Sequence, residues 1–133
     1  TLNGVLNGKA CKFCYHVGIK YGESAYLYLI LHQEFQSIKV GISNHQANLN
    51  RLDAHKKNGW TLYKSFDFET ADEAEWFETM LLKWLRSERK LGVHLVRELM
   101  PQGGFSETVD GSEISVQEIE DKLLELIEIG RTD

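Results

Sequence analysis

The sequence predicts an α+β fold, a small three-stranded antiparallel sheet flanked by helices in the order β-β-α-β-α, with an acidic helix added at the C-terminus. Three observations carry that expectation. Two β-branched and aromatic apolar runs are separated by only "QEFQ", a run of helical periodicity with a capping signal follows, and nine of the 20 acidic residues fall between 106 and 133. The 133 residues suffice for one hydrophobic core and are too few for two. Hydrophobic residues at 42%, charged residues at 26% and a single proline are values of a folded chain, not a disordered one.

The elements follow in order. "SAYLYLILH" (24–32) and "SIKVGI" (37–42) read as a hairpin turning at "QEFQ". "NHQANLNRLDAHKKNG" supplies an asparagine cap at Asn44 and the stop Asn58-Gly59, which predicts a helix from about His45 to Lys57. "WTLYKSFDFE" (60–69) alternates as a third strand should. "TADEAEWFETMLLKWLRSER" opens on a Thr70 cap with Glu73 three residues later. At about 100° per residue, Ala74, Phe77, Leu81, Trp84, Leu85 and Glu88 form its core stripe. Beyond it "GVHLVREL" reads as a short strand, "MPQGGFSETV" as a glycine-containing connection and "SVQEIEDKLLELIEIG" as an amphipathic helix. The expected division is residues 1–23 as an extension carrying "CKFC", 24–105 as the core, and 106–133 as a helical appendage of the same domain.

The net charge of −5 is unevenly spread. Residues 106–133 carry nine acidic residues against Lys122 and Arg131, which leaves 13 basic and 11 acidic residues in 1–105. That balance permits phosphate binding without a dense basic patch. No apolar run approaches the roughly 20 residues of a membrane span, and "TLNGVLNGKA" has no signal-peptide pattern, so a cytoplasmic protein without membrane contact is expected. A start at Thr1 leaves an upstream domain open, and a homodimer is open as well.

Several residue types could carry chemistry. Glu78 falls within the apolar stripe of its helix and Glu75 at the margin. A glutamate there needs an arginine, hydrogen-bond donors or a metal ion, unless it is a surface carboxylate at the helix edge. Arg51 and His55, at i and i+4, project from one helix face, as a solvated pair also would. Tyr28 shares a strand face with Tyr26, where packing is the alternative role. Lys39 interrupts an apolar strand two residues before Gly41, which admits close approach of backbone or ligand. An edge-strand gatekeeper would also place a lysine there. Gln102 and Ser106 flank Gly103-Gly104 and can donate to phosphate or base edges. Cys11 and Cys14 are half of a zinc site, to be closed by His16 and another histidine, a partner chain or upstream residues, with a redox pair as the alternative.

In order, "YLY", "KVG", "RLDAH" and Ala74 followed four residues on by Glu78 resemble the motifs of the GIY-YIG nuclease superfamily. The resemblance covers about residues 24–88. Tyr28 takes the place of the first tyrosine, Lys39 stands where the second is usual, and Gly41 is in place. Two departures are plain: Tyr26 replaces the glycine of the first motif, and Lys39 is similar to the restriction-enzyme and phage-related branches. The resemblance implies a metal-dependent endonuclease acting on nucleic acid, DNA before RNA. It implies Tyr28 as general base made more acidic by Lys39, Arg51 on the phosphate, His55 orienting the tyrosine or the phosphate, and Glu78 holding one Mg²⁺ or Mn²⁺. Gly41, Gln102 and Ser106 would face the substrate. Two other classes compete: a non-catalytic nucleic-acid-binding module on the same scaffold, and a protein-interaction domain docking through its acidic helix.

Overall fold

The computed structural model describes residue 19 and residues 21–45 and 51–132. Cys11 and Cys14, and with them the expected zinc or redox pair, lie outside the described residues.

Strands β1 (Ala25–His32) and β2 (Ser37–Asn44) form the expected hairpin, closed by a turn over 33–36, with Tyr28 opposite Gly41 and Ile30 opposite Lys39. Helix α1 (Arg51–Lys57) follows. It stops as expected at Asn58-Gly59, whose amides return to the carbonyls of His55 and Lys56; its expected beginning after Asn44 lies outside the described residues. Strand β3 (Thr61–Phe68) pairs with the other edge of β1, with a register shift at Leu29/Ile30 that leaves Tyr63 unmatched. Helix α2 (Ala71–Lys83) starts at Thr70, whose hydroxyl accepts from the Glu73 amide at 3.3 Å, and its last turn widens into a π-helical turn over Trp84–Glu88.

Among the described residues the sheet has four strands, not three. Strand β4 (Thr108–Asp110) pairs with β2 and the order is β3-β1-β2-β4. Three residues are too few to show alternation, so this strand is hidden within the expected connection. Its presence makes β2 an interior strand and removes the gatekeeper role for Lys39, which lies opposite Thr108 and is 2% exposed. The expected strand over "GVHLVREL" is absent. Residues 92–96 run without a ladder, joined to β4 by the amides of His94 and Leu95, and Arg97–Leu99 forms a 3₁₀ turn. With β4 already on β2, Val93, Val96 and Leu99 remain exposed.

Period-2 alternation gives the sheet two unlike faces. Ala25, Leu27, Leu29, Val40 and Ile42 pack under α2 (Ala74, Phe77, Leu81) and under helix α3 (Val116–Thr132), through Ile119, Leu123 and Ile127. The acidic helix therefore covers the sheet, and Glu120 anchors it to β3 by accepting from Tyr63 at 2.7 Å and Lys64 at 2.6 Å. The opposite face carries Tyr28 and Ile30, packed with Leu52 of α1 and with Trp60, Leu95 and Met100. No helix among the described residues is long and apolar enough to cross a membrane.

Arg86, in the π-helical turn, fastens these parts together. Its guanidinium donates to four backbone carbonyls, those of Leu91 and Gly92 at 3.1 and 2.7 Å and those of Ser106 and Thr108 at 2.9 Å each. Arg86→Ala should cost roughly 3 kcal/mol, because charged donors are lost to carbonyls that are partly out of water; a denaturant midpoint unchanged from the parent would refute this account of the joint.

Candidate active site

On the second face Tyr28 is 1% exposed and its ring lies across Gly41 so closely that a Cβ at Gly41 would overlap the ring and its hydroxyl. The glycine expected to admit backbone or ligand admits this phenol. Lys39, two residues before Gly41 on the same strand face, holds its ammonium 5.6 Å from the Tyr28 ring centroid. The His55 ring stands 6.0 Å from that of Tyr28, carried there by α1. Arg51, one turn earlier on α1, is half-buried, and its charge reaches both Tyr28 and His55.

Glu78 comes from α2 and is 3% exposed. The surface-carboxylate alternative is thereby removed. Its charge acts on Tyr28 and Lys39. Glu75, one turn before it, is also buried and accepts from the Tyr21 hydroxyl at 3.3 Å. Burial and the neighbouring Glu75 carboxylate hold the Tyr21 phenol well above its ordinary value.

The "MPQGGFSETV" stretch lies over this cluster. Met100 and Phe105 pack into the same apolar group as Tyr28. Gly104, at φ +94°, presses its backbone against Lys39, where a Cβ would overlap the lysine Cε. Gln102 places its amide nitrogen 3.1 Å from His55 Nδ1, and Glu107 accepts from Lys39 Nζ at 2.7 Å. Ser106 meets Arg86 through its carbonyl. The five expected catalytic residues thus share one electrostatic neighbourhood, with Gly41 and Gln102 in direct contact with it.

The charges do not act as expected at Tyr28. Burial pushes its phenol up to about 12, overriding the Lys39 charge, which pulls the other way. Glu107 and Glu78 push it further up and Arg51 opposes them. Burial works against the Lys39 ammonium, but the Glu107 and Tyr28 oxygens more than offset it, so the lysine stays protonated. Burial, with the Lys39 and Arg51 charges, pushes His55 down to about 3, so the imidazole is neutral at physiological pH. In the amide orientation that places Gln102 Nε2 as donor to Nδ1, the ring proton is assigned to Nε2.

The chain matches none of the protein-family models, curated proteins or solved structures with which it was compared.

A divalent cation is compatible with these donors. Among the described residues no group of three or more His, Cys, Asp or Glu forms a cage. Mg²⁺ needs none, since it takes one or two hard carboxylates and completes its shell with phosphate oxygens and water. Glu78 is such a donor, placed beside the tyrosine and the lysine. Sequence reasoning missed Glu107, Tyr21 and Arg86. Each is joined to its partners by chain reversals, and an isolated Glu, Tyr or Arg carries no local signal.

Proposed function

We propose that the chain is a metal-dependent endonuclease, similar to the GIY-YIG nucleases, that hydrolyses phosphodiester bonds in DNA. One observation carries the reading: a tyrosine set across a glycine, with a lysine, an arginine and a buried glutamate from three different elements all acting on its hydroxyl. A binding module gains nothing from a buried carboxylate directed at phosphate and loses affinity to its repulsion.

The residues divide the work that hydrolysis demands. Glu78 would hold Mg²⁺, which when bound offsets charge on the phosphorus oxygens. Tyr28, as general base, takes the proton of the attacking water and must first be ionised, which the Lys39 ammonium favours. Arg51 donates parallel hydrogen bonds to the phosphate oxygens as negative charge grows there. Neutral His55 keeps one N–H to donate, to the Tyr28 oxygen or the phosphate.

A base whose phenol titrates at about 12 sets the direction of the pH dependence. Only the ionised form works, so kcat/KM should climb about tenfold per pH unit from neutrality into the mildly alkaline range. Lys39→Met should lower the whole profile. A rate independent of pH across that range would remove Tyr28 as the base.

The decisive test is cleavage of plasmid and single-stranded DNA with Mg²⁺ and again with EDTA. Nicks or breaks that need the metal support the nuclease. DNA binding without cleavage, at any Mg²⁺ or Mn²⁺ concentration, replaces it with the binding module.

A further inference from the structure

Four of the five groups assigned to chemistry are almost wholly covered. Tyr28, Lys39, His55 and Glu78 are each no more than 4% exposed. What covers Tyr28, Lys39 and His55 on the second face is the stretch from Met100 to Glu107, through Met100 and Phe105 on the apolar side, Gln102 on His55 and Gly104 against Lys39. The contact that closes it is ionic. Glu107 Oε1 lies 2.7 Å from Lys39 Nζ, and the two side chains are 15% and 2% exposed.

A phosphodiester needs the same ammonium. It presents anionic oxygens, as a carboxylate does, and Lys39 is the cation beside the tyrosine that would act on it. Two anions have reason to compete for one lysine. Between the Met100 side chain and the Ser106 carbonyl that Arg86 holds at 2.9 Å, the stretch is lightly tied: it contains two consecutive glycines at φ +94°, and its internal amide bonds are short turns such as Gly103 to Met100 and Glu107 to Gly104.

We propose that residues 100–107 are a latch that closes the site in the absence of nucleic acid, with Glu107 holding Lys39 in place of a substrate phosphate. The proposal rests on the nuclease reading. Entry of a DNA strand exchanges the Glu107 carboxylate for a phosphate oxygen at Lys39, and no bond is made or broken.

Two variants test the latch by different means. Glu107→Gln removes the competing charge, and Gly104→Ala keeps the charge but strains the backbone at φ +94° and drives it and the Lys39 side chain apart. Affinity for a fluorescent duplex oligonucleotide is measured by anisotropy in EDTA, and cleavage of plasmid in Mg²⁺. Both variants should bind the duplex more tightly, by about tenfold for Glu107→Gln, the size expected for release from one charge-assisted bond. Amide exchange at Gly103 and Glu107 in the parent protein should quicken on adding inorganic phosphate at millimolar concentration, a measurement that needs no variant to fold. Unchanged or weaker binding by both variants, with parental cleavage intact, overturns the latch and leaves the nuclease standing. Slower exchange with phosphate overturns it as well. Absence of both binding and cleavage in parent and variants overturns the nuclease reading, and the latch with it.

Discussion

Glu78→Gln is expected to abolish cleavage, by about 10³-fold or more, while duplex DNA binds as tightly as before or more tightly. The substitution preserves size and removes the charge a hard cation requires. The carboxylate is 3% exposed and its charge acts on Tyr28 and Lys39, so under the proposed reading its neutralisation also removes a repulsion toward a phosphate bound beside them. If Glu78 instead serves only to balance buried cations of the core, the same change should lower stability by roughly 3 kcal/mol and leave no activity to compare. Cleavage, anisotropy and a melting curve on this one protein separate the possibilities. Full cleavage at unchanged melting temperature would remove Glu78 from the site.

Gly41→Ala should be nearly as severe through sterics alone. The added methyl would fall on the Tyr28 ring and hydroxyl, and that ring is enclosed by His55, Lys39 and the apolar group of Leu52, Trp60 and Met100. Overpacking of this kind costs about 1–3 kcal/mol. If Tyr28 is the base proposed, its displacement by even an ångström should lower the rate about 10²-fold. The result that matters is the pairing of the two: a variant that keeps its denaturant midpoint and its rate would show that Tyr28 has room to move, contrary to the packing described.

What the sequence disclosed, and what it hid, divides by the range of the interactions. The hairpin and the Thr70 cap are local consequences of period and spacing, and each is found where the pattern puts it; helical spacing left Glu78 between a core and a surface position, and only the packing of the fold buries it. The extra strand and the covering stretch are not local. Lys39 and Glu107 are 68 residues apart, and only the pairing of β4 with β2 brings them together. That pairing involves three residues, too few for alternation to register. "GVHLVREL" failed for the complementary reason: its apolar content suits a strand, but the neighbouring edge is already taken by β4. The acidity expected of Tyr28 was judged from its charged neighbour, and burial, which no spacing reveals, proved the larger effect.

The four-carbonyl grip of Arg86 bears on timing. It fixes Ser106 and Thr108 to the end of the helix that carries Glu78, and Met100, 1% exposed, fixes the other end of the covering stretch. In the proposed latch the moving parts are then the backbone of 101–105 and the Glu107 side chain between two posts, and their movement would be a local event of microseconds to milliseconds that leaves the sheet undisturbed. If the chain is the nuclease proposed, the cut strand would leave past the same covering stretch that admitted it. Its departure, more than the breaking of the phosphorus–oxygen bond, would then set the ceiling on turnover.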